Sequence, residues 1–178
     1  LCDASQMNHH LWHVLSRGNW GENMVNLRDE VERRSRLENV ALQLRNLLPP
    51  ALGWWPLRLR TQDYEATSPD DFEYLLAKCA GFDALFCIET DVRRLRAHPQ
   101  TGRILSLVKA WEGLRNRGAF SEEQRELLCT PGLDFRLDTA RSPWRVMPVR
   151  NTKRRYAEAP RTGQSLPIPL VNPCAAQP

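Results

Sequence analysis

Apolar positions along the chain alternate between short continuous runs and longer stretches at the helical period, which predicts strands alternating with helices. Leu1 to Gln6 reads as the end of a strand whose beginning lies upstream. His10 to Arg17 reads as a short buried strand, followed by a loop punctuated by Gly18 and Gly21. Asn26 is placed to cap a helix in which Leu27, Val31, Leu37, Val40, Ala41, Leu44 and Leu48 recur at the helical period until Pro49-Pro50 stops it. A second unit opens with Ala51 to Leu57, a strand that Pro56 ends. Its helix has Ser68 as N-cap, Pro69 at the first helical position, and Asp70 and Asp71 in the first turn, where the helix dipole favours carboxylates. Phe72, Leu75, Leu76 and Cys79 form the buried stripe, and Gly81 is expected to close the helix. In the third unit the unbroken apolar run Ala84 to Ile88 predicts a strand covered on both faces. Its helix runs from about Thr101 to Arg117, with Ile104, Leu107, Val108, Trp111 and Leu114 on one side. Ser121 with Gln124 makes a capping box for a short last helix to Cys129.

After Pro131 the period changes. Phe135 to Asp138 and Trp144 to Met147 alternate as a half-exposed antiparallel hairpin does. Beyond Ala157, Pro160, Pro167, Pro169, Pro173 and Pro178 interrupt any periodicity. The expected division is a parallel α/β unit over 1–130, about four βα units. A hairpin at 131–157 opens a β-rich domain, and 158–178 form a Pro-rich extended tail. The chain opens at Leu1 without Met, basic n-region or apolar h-region, which reads as a fragment or a processed product.

Composition narrows the chemistry. With 42% hydrophobic and 26% charged residues the chain falls among globular proteins, and no run approaches the ~18 apolar residues of a membrane span. The net charge of +4 comes from arginine, but the arginines are spread along the chain among 21 carboxylates, as on solvated helix faces. Only Lys153-Arg154-Arg155-Tyr156 clusters enough to support a nucleic-acid alternative. Cysteines 2, 79, 87, 129 and 174 are odd in number, irregularly spaced and without C-x-x-C, against a zinc ribbon or a dense disulfide framework. His9 and His13 on a strand stand about 13 Å apart, too far for a shared ion. No H-E-x-x-H, P-loop, G-x-G-x-x-G or G-x-S-x-G is present, so neither metal nor cofactor is expected.

Parallel strands end on one side of their sheet, which directs attention to the polar and aromatic residues just past each run: Asp3 with Gln6, Arg17 with Glu22, Trp54 with Trp55, and Glu89 with Asp91. Glu89 at such a rim serves as acid, base or sugar-hydroxyl acceptor, or else as a capping or loop carboxylate near Arg93 and Arg94. Gly53-Trp54-Trp55 suits either an indole wall for a pyranose ring or plain core. Strand alternation turns the two rings to opposite faces, so only one can face a pocket.

Several stretches together resemble bacterial glycoside-hydrolase-like proteins that join a (β/α)8 barrel to β-sandwich domains. They are Trp12 to Arg17 with Trp20-Gly21-Glu22, Leu48 to Trp55, Asp71 to Leu76 leading to Asp83-Ala84, Glu89-Thr90, and Trp111 to Arg115 with Phe120-Ser121. The resemblance covers roughly residues 1–150. It implies the C-terminal half of a (β/α)8 (TIM-like) barrel, with its last four strands ending near residues 4, 16, 56 and 89, followed by the hairpin and tail. It further implies a hydrolase of a bacterial or plant polysaccharide, incomplete without an N-terminal barrel half or association with another copy, in a secreted or periplasmic setting. Asp3 and Glu89 would be the catalytic pair, Arg17 and Glu22 would orient sugar hydroxyls, and one of Trp54 and Trp55 would form a stacking wall. Where such proteins tend to show Asp-Gly-Ser-Glu, this chain has Asp3-Ala4-Ser5-Gln6. An amide there keeps hydrogen bonding but loses proton transfer, which favours a non-catalytic carbohydrate-binding or structural remnant as the alternative.

Because no ligand set for an ion is visible, EDTA is expected to leave the melting temperature unchanged. A drop of several degrees would reveal a structural metal.

Overall fold

In the computed structural model the described residues are 3–4, 17–18, 51–140 and 142–149. The expected Asn26-capped helix, Glu22, the histidine cluster, the Lys153 to Tyr156 cluster and the Pro-rich tail lie outside them. Strand β1 (Asp3–Ala4) pairs in parallel with β2 (Arg17–Gly18), Asp3 opposite Arg17. Strand β3 (Ala51–Pro56) pairs in parallel with β4 (Leu85–Glu89), and helix α1 (Pro69–Phe82) makes the crossover.

The β3–β4 ladder contains a slip. Ala51 faces Leu85 and Trp54 faces Cys87, three steps on β3 against two on β4, so β3 carries one extra residue. Gly53 sits inside this bulge at φ 89°, a backbone region that glycine enters without the Cβ penalty. A one-residue slip exchanges the faces of everything beyond it. Leu52, Trp55 and Leu57 consequently share one core with Phe72, Leu75 and Ile104.

Helix α1 starts as its sequence dictates. Ser68 Oγ accepts from Asp71 N–H at 3.2 Å, while Asp71 Oδ2 accepts from Ser68 N–H at 3.0 Å. Its end differs from expectation. The left-handed closing residue is Asp83, at φ 50°, whose N–H reaches the Cys79 carbonyl, and Gly81 lies inside the helix. Glycine is needed there for closeness: a Cβ on Gly81 would stand 2.9 Å from Cys129 Sγ and 3.0 Å from both the Arg125 carbonyl and Cys129 N. The burial is also wider than a stripe, since every residue from Phe72 to Gly81 is buried.

Strand β4 is not covered on both faces as expected, for Leu85, Phe86, Cys87 and Ile88 are only half-buried. A short helix that the pattern did not announce, α2 (Val92–Ala97), follows it. Helix α3 (Thr101–Arg115) buries Ile104, Trp111 and Leu114, and α4 (Glu122–Leu128) carries the expected Ser121–Gln124 capping box. Strands β5 (Asp134–Asp138) and β6 (Arg145–Val149) pair antiparallel. Phe135 and Leu137 of β5 enter a second core with Leu76, Ala80, Trp111, Phe120 and Leu128, so the hairpin is built onto the helices. No helix among the described residues is long and apolar enough to cross a membrane.

Two glycines of similar helical setting are expected to respond oppositely. Gly81→Ala forces overlap with α4 backbone and should cost about 1–3 kcal/mol. Gly102→Ala meets nothing within 4 Å and should gain up to about 1 kcal/mol from helix propensity, both read by urea unfolding.

Candidate functional site

The ends of β3 and β4 form one rim. Pro56 lies opposite Glu89, and the Leu57 N–H donates to the Glu89 carbonyl at 3.0 Å. Glu89 is therefore at the C-terminal end of its strand and is exposed there. The loop leaving β3 is held by one hydroxyl: buried Thr67 Oγ1 donates to the Pro56 carbonyl at 2.8 Å and accepts from Arg58 N–H at 2.9 Å, and Thr67 N–H donates to the Arg58 carbonyl. This clasp brings the loop back to its own start. Within it the Arg58 guanidinium lies 4.8 Å from the centre of the Tyr64 ring, which stands 42% exposed. Arg58 and Tyr64 escaped the sequence reading, although their place immediately after a strand was a signal available to it.

Of the two tryptophans, Trp55 is fully buried, edge-on to Phe72 at 6.4 Å between ring centres, and can stack on no ligand. The side chain of Trp54 lies outside what the structure describes, as do those of Asp3 and Arg17. Asp3 and Arg17 do share a parallel register. No pairing among the described residues joins β1–β2 to β3–β4. Asp91 is occupied locally: its Oδ1 accepts from Arg94 N–H at 2.8 Å as the cap of α2.

Perturbed acids concentrate elsewhere. Glu73, 5% exposed, accepts through Oε1 from Leu137 N–H at 2.8 Å and from Trp111 Nε1–H at 3.2 Å, while Arg136 Nε lies 3.8 Å from Oε2. Burial pushes its carboxyl above the ordinary range, opposed by these hydrogen bonds and by Arg136. A shifted carboxyl often marks a catalytic acid. Here the acceptor is engaged by two interior donors, and its role is structural. Lys78, fully buried, donates to the carbonyls of Leu128 at 3.1 Å, Thr130, and Leu133 at 3.4 Å. Two buried donors among the described residues, Trp55 Nε1 and His98 Nε2, have no partner. Burial drives the Cys79 thiol well up, which suits the small-hydrophobe reading. No cluster among the described residues could hold a metal ion.

Since the folded-state value of Glu73 lies above its unfolded one, the unfolded chain releases this proton first. Stability contributed by the protonated form is full below the unfolded value and is lost as pH rises through the folded value. Glu73→Gln should therefore gain on the parent as pH rises above the ordinary glutamate range, whereas Glu73→Ala orphans two donors and should cost roughly 1–3 kcal/mol for each, both read by unfolding at several pH values. Comparison of the chain with known protein families, with curated proteins and with solved structures finds no match in any of the three.

Proposed function

We propose that this chain is the C-terminal half of a (β/α)8 barrel of glycoside-hydrolase type, acting on a bacterial or plant polysaccharide and incomplete without further barrel strands or a second copy. The observation that carries it is the register of the β3–β4 pair, which sets an exposed carboxylate, Glu89, beside the end of the Trp54-Trp55 strand. The half-buried side chains of β4 suit a strand awaiting more cover. In this reading Glu89 faces Asp3 across the scissile bond, Arg17 and Glu22 hold sugar hydroxyls, and Trp54 forms the stacking wall, Trp55 being core. Arg58 and Tyr64, on the loop that leaves the strand, extend the wall.

A non-catalytic sugar-binding remnant is the second reading. It is favoured by Gln6, whose amide keeps hydrogen bonding but cannot transfer a proton, where such proteins tend to show Glu. Glu89→Gln separates the two. Release of reducing ends from polysaccharides should fall at least about a hundredfold with sugar binding retained if Glu89 transfers a proton. Binding without turnover, unchanged in Glu89→Gln, would establish the remnant.

A further inference from the structure

Lys109 and Gly113 stand one turn apart on α3, and Arg117 follows just past the helix end, in the turn after the cap residue Asn116. The middle position has no side chain. That gap is the floor of an open cleft of about 570 Å³, walled on the far side by Thr139, Ser142 and Trp144 from the connection between β5 and β6. The Arg117 guanidinium leans over the gap, with Nη1 3.5 Å from where a Gly113 Cβ would stand. Trp144 is fixed by an edge contact with Phe120, 5.1 Å between ring centres, and Phe120 is itself stacked on buried Trp111 at 5.8 Å. The indole is thus held by the core while remaining only half-buried.

The charge of this cleft is one-sided. Among the described residues it is lined by two cations and no carboxylate. Among the described residues neither Lys109 nor Arg117 makes an ion pair there. Glu112, one turn from Lys109 on α3, is instead held by Arg115, Nη2 at 2.8 Å, which also reaches Asp83 through Nη1 at 3.0 Å. Two cations without an ion pair among the described residues, three hydroxyls and a core-anchored indole around a side-chain-free floor match a flat-faced polar ring bearing an anion.

We infer that this cleft, which shares no residue with the Glu89 rim, is a binding subsite for an acidic sugar, a uronate unit of a polysaccharide. The class of ligand rests on the carbohydrate reading given above, and the charge on the cleft alone. Arg117 forks onto the carboxylate, Lys109 adds charge at the other end of the gap, and the ring lies against Trp144.

The test titrates the full chain with oligogalacturonate, with its carboxyl-reduced neutral counterpart, with inorganic phosphate and with a single-stranded oligonucleotide, by calorimetry. Oligogalacturonate should bind at least about tenfold tighter than the neutral oligomer and than phosphate, and should weaken with salt. Arg117→Met and Lys109→Met, both exposed and harmless to the core, should each weaken it about tenfold, and Gly113→Leu should block it by filling the floor. Equal binding of acidic and neutral oligomers, or unchanged affinity in both charge variants, would overturn this site and leave the carbohydrate reading standing. Binding of no sugar of either charge would overturn both. Phosphate or the oligonucleotide binding as tightly as the uronate would overturn the sugar as ligand.

Discussion

Helix α1 is buried on nearly every side, and that forces two charged side chains, Glu73 and Lys78, into the interior. A buried charge without partners would be costly enough to unfold a domain of ordinary stability, so the surrounding chain must be arranged to receive them. Glu73 is met by an N–H of β5 and the indole of α3, and Lys78 by carbonyls at and just past the end of α4. Each is a joint between α1 and elements more than thirty residues away. The hairpin keeps its place because Leu137 N–H has its acceptor on α1. The end of α4 is held because its orphan carbonyls, which a helix C-terminus always leaves, find a cation.

Around this joint the two cores divide the labour. One couples the β3–β4 pair to α1 and the start of α3, and so holds the rim where Glu89 stands. The other couples α1 to the end of α3, α4 and the hairpin, and so holds the indole of Trp144 at the cleft. Gly81 allows α1 and α4 to approach until backbone nearly touches backbone, and the second core depends on that spacing. Trp144 stands at the edge of the second core, supported by Phe120 beneath it. The Thr67 clasp does at the rim with one hydroxyl what the Phe120 stack does at the cleft with a ring.

The acids show why burial and chemistry must be weighed separately. Glu73 has the perturbed carboxyl but is engaged by interior donors, and Asp91 is spent on a helix cap. Glu89 is exposed at the end of its strand.

The local statements in the sequence were legible. Ser68-Pro69-Asp70-Asp71 and Ser121 with Gln124 carry their helix starts in the chemistry of adjacent residues, and the period-2 stretches at 135–138 and 144–147 carry the hairpin. A capping box involves four neighbouring residues and needs no tertiary partner. What depends on contacts far along the chain was not legible. Gly81 read as a helix stop because glycine usually marks one, and only the approach of Cys129 shows that it is a spacer. Trp55 could not be assigned to the core until the bulge at Gly53 set the register, since a single extra residue exchanges the two faces. Glu73 and Lys78 fall outside the expected stripe of Phe72, Leu75, Leu76 and Cys79. They became interior charges because β5 and α4 close over them, and the partners that make this tolerable lie fifty or more residues downstream for Lys78 and 64 for Leu137 against Glu73. Composition and period are sums over neighbours. Burial is decided by whatever else the chain brings to the same place.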